Sequence, residues 1–284
     1  MSLQITQDDF IQQLSEIYDT GEAKNIWLLV MERITGNRQL KSQGSKTPLT
    51  NEQEQTLKKI LDRLQHNEPI QYILNESWFY DIPFYVDKNV LIPRPETEEL
   101  TDWIIKENKT CKTCTILDIG TGSGCIPIIL KRKIPAAKIF GCDISEAALK
   151  VAEKNAATYQ TTISFLQADF LNKNIFDIFP DIDIIVSNPP YIPQKDKKHM
   201  RANVLNFEPH LALFVDNHTA LIFYDAIARF GLKKLNPTGK IYVEIHESLG
   251  KQTTALFESH GYTTTLKKDM QGKDRMVKAA LNRD

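Results

Sequence analysis

Cysteine is scarce in this chain of 284 residues, which has only Cys111, Cys114, Cys125 and Cys142. Cys111-x-x-Cys114 has no second pair or histidine cluster to complete a tetrahedral zinc site, so no metal is expected and the thiols read as reduced. Long apolar runs are missing as well. Nothing approaches the roughly 20 apolar residues of a membrane span, and Met1-Ser2-Leu3-Gln4 lacks the basic and apolar regions of a secretory signal. A cytoplasmic protein with no membrane contact is therefore expected. Net charge is equally small: 35 Lys+Arg against 36 Asp+Glu leaves -1, with no global pull toward nucleic acid. The charge is slightly segregated. Residues 1–90 hold 9 Lys+Arg and 13 Asp+Glu, a net -4, and the rest of the chain nets +3. An acidic front end is a poor phosphate binder. There is no internal repeat and no low-complexity segment.

What is present is ordinary for a globular protein: 42% hydrophobic and 25% charged residues, with length for a main domain plus a smaller one. The first 70 residues lack strand alternation. Phe10, Ile11, Leu14 and Ile17 share a face of a helix over 8–18, and Ile26, Trp27, Val30 and Ile34 a face of one over 23–34 that Gly36 stops. Gln39 to Leu49 is polar and reads as a loop. Thr50 and Gln53 have capping-box spacing, so a helix should run over 51–66 with Leu57, Ile60, Leu61 and Leu64 inside. Residues 1–70 are thus expected to form a helical bundle. Residues 71–95 are aromatic and β-prone, interrupted at Asp81-Ile82-Pro83, and read as a β-hairpin connector. From 96 to 284 strands and helices alternate. Strands are expected at 115–119, 138–142, 163–167, 182–187 and 240–245, with a terminal hairpin at 262–266 and 276–281. The fold class is α/β, a Rossmann-like domain with a mostly parallel sheet and helices on both faces.

Between the strand at 115–119 and the helix after it lies Gly120-Thr121-Gly122-Ser123-Gly124. Glycines there allow a tight turn and let a ligand approach the backbone at a helix N-terminus. G-x-G-x-G is not the full dinucleotide fingerprint. Asp143 ends the next strand, nineteen residues after Gly124. Its carboxylate can accept from both ribose hydroxyls, or it can cap the helix starting near Ser145. Asp169-Phe170 ends the third strand, where the carboxylate can accept from an adenine amino group and the ring can cover the purine. A loop aspartate beside a core phenylalanine is the plainer alternative. These features suit any adenosine cofactor, NAD and S-adenosylmethionine alike.

The fourth strand separates the two. It ends in Asn188-Pro189-Pro190-Tyr191, and nothing there suggests hydride transfer. The Asn188 side-chain oxygen and the Pro189 carbonyl can accept from both N–H groups of a planar nitrogen and stabilise charge building on it as a methyl arrives. The two prolines stiffen the loop, and Tyr191 can lie against a flat acceptor. The alternative is a strand-ending turn, since Asn-Pro is a common breaker.

With these motifs the chain resembles the release factor glutamine methyltransferases, the HemK/PrmC family. The matching stretches are Val90-Leu91-Ile92-Pro93-Arg94-Pro95-Glu96-Thr97-Glu98, Leu117 to Gly124, and Val186 to Ile192. Phe207-Glu208-Pro209 with Leu211-Ala212-Leu213 also matches, as does Asp269-x-x-Gly272-x-x-Arg275. The resemblance implies a class I S-adenosylmethionine-dependent methyltransferase domain over 96–284 and a substrate-docking helical domain over 1–70. It implies N5-methylation of the glutamine side-chain amide in the Gly-Gly-Gln motif of class 1 peptide chain release factors, releasing S-adenosylhomocysteine. Gly120, Thr121, Gly122, Ser123, Gly124, Asp143, Asp169, Phe170 and Asn188 would contact the cofactor. Asn188 and Pro189 would be catalytic, and Asn188, Pro189, Pro190 and Tyr191 would hold the glutamine. A monomer is the expectation.

The nearest rival methylates a nucleic-acid base, whose exocyclic amine is chemically similar. Lys195, Lys197, Lys198, His199 and Arg201 follow the acceptor motif and offer phosphate contacts, or simply form a solvated loop. The acidic front end disfavours direct nucleic-acid binding. A third possibility is a non-catalytic cofactor-binding scaffold, against which the intact Asn188 argues.

Overall fold

Three side chains start three helices by the same device, an oxygen that satisfies an otherwise unpaired N–H of the first turn. In the computed structural model, which describes residues 5–37, 48–111, 113–217 and 219–281, Thr6 accepts from Asp9 N at the start of α1 (Gln7–Leu14). Asp19 accepts from Glu22 N at the start of α2 (Thr20–Thr35), which Gly36 closes at φ +70°. Thr50 and Gln53 form the expected reciprocal capping box at the start of α3 (Asn51–Gln65). A short α4 (Ile70–Leu74) follows. Phe10, Leu14, Ile26, Val30, Leu57, Ile60, Leu61 and Leu64 are buried together, with Ile70 and Ile73 beside them. α1 ends four residues short of the expected Tyr18, because the Ser15 hydroxyl turns back onto Gln12 O and the chain reverses before the Asp19 cap. The polar stretch expected as a loop over 39–49 lies mostly outside the described residues.

Contacts divide the chain into two units. One comprises the described residues up to Glu76 together with Arg201–Phe207, which includes α8 (Ala202–Phe207). The other comprises Ser77–Met200 and Glu208 onward.

The second unit begins with an antiparallel hairpin, β1 (Ser77–Phe79) and β2 (Ile82–Phe84), paired Ser77↔Phe84 and Phe79↔Ile82. Its turn is Tyr80-Asp81, both at positive φ, so Ile82 and Pro83 belong to the return strand and not to the interruption. After α5 (Pro95–Asn108), with Pro95 in the first turn where a missing N–H costs nothing, strands and helices alternate. They are β3 (Thr115–Ile119), α6 (Cys125–Lys133), β4 (Lys138–Asp143), α7 (Glu146–Thr158), β5 (Ser164–Gln167) and β6 (Ile182–Ser187). A small parallel pair, β7 (Ile192–Pro193) and β8 (Phe214–Val215), flanks α9 (His210–Leu213). α10 (Ile222–Lys234), β9 (Leu235–Glu244), α11 (Gly250–Ser259), β10 (Tyr262–Lys268) and β11 (Asp274–Leu281) complete the chain.

The seven-stranded sheet has the order β10-β11-β9-β6-β3-β4-β5. Five strands from β9 to β5 run parallel, and the terminal hairpin β10–β11 adds antiparallel to β9. The central strands β3 and β6 are mostly buried on both sides, as a sheet covered on both faces demands. Leu117, Ile119 and Ile185 pack with Tyr224, Ile227, Phe230 and Phe257 of α10 and α11. Ile116, Ile184 and Val186 pack with Leu100 and Ile104 of α5 and Ile126 and Ile129 of α6. The strand order reverses between β3 and β6, so the carboxyl ends of those two strands form the crevice in which open α/β sheets bind ligands. Among the described residues no helix is long and apolar enough to cross a membrane.

Candidate functional site

The turn after β3 is fixed by backbone and by two carboxylates, Asp118 buried and Asp143 half-buried. Gly120 N and Thr121 N both donate to Cys142 O, each at 2.9 Å, tying the turn to the end of β4. Asp118 Oδ2 accepts from Thr121 Oγ1 at 2.6 Å, while its Oδ1 has no partner among the described residues. Burial pushes the Asp118 carboxyl up to about 7. Asp143 accepts from Gly122 N through Oδ2 and from Ser145 N through Oδ1, each at 2.9 Å. Burial raises its carboxyl above the usual range, against the pull of those N–H groups. Ser145, not Asp143, caps α7, by accepting from Ala148 N.

Gly120, Gly122 and Gly124 all have positive φ. A Cβ at Gly120 or Gly122 would meet nothing within 4 Å, whereas one at Gly124 would come 3.0 Å from Ala152 Cβ of α7. The first two glycines therefore keep backbone open toward a ligand, and the third lets two helices approach.

The loop after β6 faces the same space. Ser187 Oγ donates to Ile119 O at 2.7 Å and locks the two strand ends together. Asn188 Nδ2 donates to Thr97 Oγ1 at 3.1 Å, and Thr97 Oγ1 donates to Glu244 Oε2 at 2.7 Å. With its nitrogen committed, the amide of Asn188 leaves its oxygen as the acceptor available to a ligand. Tyr191 donates its hydroxyl to Glu244 Oε1 at 3.2 Å.

Glu244 is 1% exposed, and burial pushes its carboxyl up to about 7, opposed by the Thr97 hydrogen bond and the Arg275 charge. The folded chain thus holds a proton on Glu244 between pH about 4.5 and 7 that an unfolded carboxyl releases. Stability conferred in that window is lost as pH rises through it. Asp118 adds a slope of the same sign. Unfolding midpoints measured across that window are expected to fall less with pH in Glu244→Gln than in the wild type; equal slopes would count against a buried titrating Glu244.

One cavity of about 300 Å³ receives both loops. Its walls include Gly120, Thr121, Gly122 and Ser123, with Asp143, Asp169 and Phe170. The same cavity is lined by Asn188, Pro189 and Pro190, and by Thr97, Leu211 and Phe223. Gly124 and Tyr191 stand behind the wall. Asp169 is exposed and holds Leu171 N through Oδ1. Phe170 lines the cavity while packing edge-on against Phe230, with ring centroids 5.1 Å apart. Open glycine backbone, a carboxylate at the second strand end and a ring at the third fit an adenosine cofactor, so these residues could hold S-adenosylmethionine. The four cysteines are free, and three of them are buried.

Four further residues build the site without having been assigned a role from sequence. Asn155, buried in α7, bridges Ser123 O to both backbone groups of Tyr85. Thr97 and Glu244 orient Asn188. Glu208 accepts from Arg94 Nη2 at 2.6 Å and from Ile92 N at 3.3 Å, joining the 92–94 segment to the start of the 208–213 segment beside the cavity. Each is a polar residue among buried neighbours. An unpaired buried polar group is costly, so each is held by partners; in sequence only Thr97 and Glu208 stood out, as members of the stretches that resemble the family. Glu208→Ala is expected to cost about 2 kcal/mol in denaturant unfolding, below the 3–5 of a fully buried pair because Arg94 is about a third exposed. An unchanged midpoint would show that this strap does not stabilise the fold.

Comparison with known proteins agrees with this geometry. A PrmC N-terminal domain model matches residues 7–74, and a methyltransferase small domain model matches residues 99–207. The chain is 44% identical over 277 residues to a release factor glutamine methyltransferase of Flavobacterium psychrophilum, covering 95% of each chain. It is 42% identical over 270 residues to the protein of the same name from Bacteroides thetaiotaomicron, covering 94% of this chain and 96% of that one. Among solved structures, a methyltransferase from Pyrococcus furiosus aligns with a TM-score of 0.52 at 14% identity. It covers 78% of this chain and 98% of that one, a likeness of fold.

Proposed function

The chain belongs to the release factor glutamine methyltransferase family, and we propose that it methylates the side-chain amide nitrogen of the Gly-Gly-Gln glutamine in class 1 release factors. The observation that carries this reading is the shared cavity, in which an adenosine-type cradle and the Asn188-Pro189-Pro190 loop face one space. Bound S-adenosylmethionine supplies an electrophilic methyl group. When it is bound, Gly120 to Ser123 would offer it open backbone, Asp143 would accept from its ribose, and Phe170 would wall its adenine.

An amide nitrogen is a weak nucleophile because its lone pair is delocalised. Asn188 Oδ1 and the Pro189 carbonyl accept from its two N–H groups, which pins the nitrogen and favours the positive charge that grows as the methyl is transferred. The methylated nitrogen is strongly acidic and releases its proton to water, so no strong base is required. Pro190, Leu211 and Phe223 give apolar walls suited to the methylenes of a glutamine side chain. The helical unit serves release factor docking, and the enzyme acts as a cytoplasmic monomer.

The test is incubation of the full chain with methyl-labelled S-adenosylmethionine and, separately, purified release factor, RNA or DNA. Label in the release factor is expected. Label only in nucleic acid would overturn the reading.

A further inference from the structure

We propose that Glu244 is a positioning residue for methyl transfer, setting Asn188 through Thr97 and holding Tyr191 directly. This inference rests on the amide-methylation reading and deepens it.

Glu244 ends β9, the strand beside β6, so its side chain lies next to the loop that β6 feeds. A carboxylate only 1% exposed is expensive, and an apolar residue of similar size would serve the core as well or better. What the carboxylate does here is accept two hydrogen bonds, from Thr97 and from Tyr191. Arg275 contributes charge nearby, but its own hydrogen bonds go to Asp269 and Ile245 O. Glu96 on α5 and Tyr224 on α10 are the other titratable groups that sense or perturb it.

The direction of the relay follows from counting hydrogens. Thr97 has one hydroxyl hydrogen, and Glu244 claims it once it has lost its own proton, as pH rises through about 7. The Thr97 oxygen can then only accept, so it binds the amide nitrogen of Asn188. An inverted amide would set two oxygens against each other with no hydrogen between them. Glu244 therefore selects the one orientation in which Asn188 Oδ1 is free for the substrate N–H. Glutamine at 244 has nearly the same shape but brings donors of its own. It can donate to Thr97, freeing that hydroxyl to point at Asn188 and admitting the inverted amide. A residue that merely filled space would not care about this change.

Two readouts test the relay. In methyl transfer to purified release factor, Glu244→Gln and Thr97→Val are each expected to lower kcat by about 100-fold, the scale of a misaligned reacting group, with KM and cofactor affinity nearly unchanged. Thr97→Ser, which keeps the hydroxyl, should retain most activity. The double variant should lose little more than the worse single one, because both break one relay. In the second readout, the Asn188 side-chain amide resonances of the ¹⁵N-labelled full chain should shift in Glu244→Gln and Thr97→Val and stay close to wild type in Thr97→Ser. Wild-type kcat in either disruptive variant, or Asn188 resonances that do not move, overturns the relay. If Glu244→Gln does not fold, the Thr97→Val and Thr97→Ser pair decides by itself. Failure of the wild type to methylate release factor counts against the proposed function instead, and the resonances judge the relay without any acceptor.

Discussion

Asn188→Ala is expected to lower kcat by about a thousandfold, the upper range for losing one preorganised charge-stabilising group. The side chain's nitrogen is engaged with Thr97 and the residue lines the cavity, which leaves the amide oxygen as the acceptor proposed for the glutamine nitrogen. Truncation removes that acceptor and leaves only the Pro189 carbonyl to hold the glutamine nitrogen. It also empties little volume and frees only a Thr97 oxygen, so folding should survive. Circular dichroism and the unfolding midpoint should stay near wild type while turnover falls by that factor. Retained turnover in a folded Asn188→Ala enzyme would remove the acceptor loop from the mechanism.

Asp143→Ala is expected to weaken S-adenosylmethionine binding by about a thousandfold. Two hydrogen bonds from ribose hydroxyls to a carboxylate are worth about 2 kcal/mol each, and their sum converts to roughly that ratio. The loss has a second source in the fold. Asp143 also holds Gly122 N and Ser145 N, so alanine loosens the turn that presents the cofactor backbone. Titration calorimetry distinguishes this from a catalytic defect: affinity falls, while kcat at saturating cofactor falls much less. Wild-type affinity in Asp143→Ala would return Asp143 to the role of a local turn residue.

Much of this architecture was legible in the chain because the signals were local. Thr50 and Gln53 are three residues apart, and their capping box needs nothing but the helix they start. The strands that carry the cradle and the acceptor loop showed as apolar runs ending in glycine, aspartate or asparagine. The short helix Ile70–Leu74 was not legible, since its aromatic and β-branched residues resemble a strand and its burial against α2 and α3 decides the outcome. The Tyr80-Asp81 turn was missed for a related reason. It needs positive φ at two residues and uses neither glycine nor asparagine. The supporting residues of the site were hidden by distance in sequence. Thr97 and Asn188 are 91 residues apart, and Thr97 and Glu244 are 147 apart. Only the fold brings them into one line, so the sequence singled out Asn188 by its motif, held Thr97 inside a family-like stretch without a role, and left Glu244 unmarked.

The most direct measurement is a peptide map by mass spectrometry of a purified class 1 release factor after incubation with S-adenosylmethionine and this enzyme. The account predicts one added methyl group, fragment ions placing it on the glutamine of the Gly-Gly-Gln peptide, and no addition with Asn188→Ala. A methyl group on another residue, or an unmodified release factor beside a labelled nucleic acid, would contradict it.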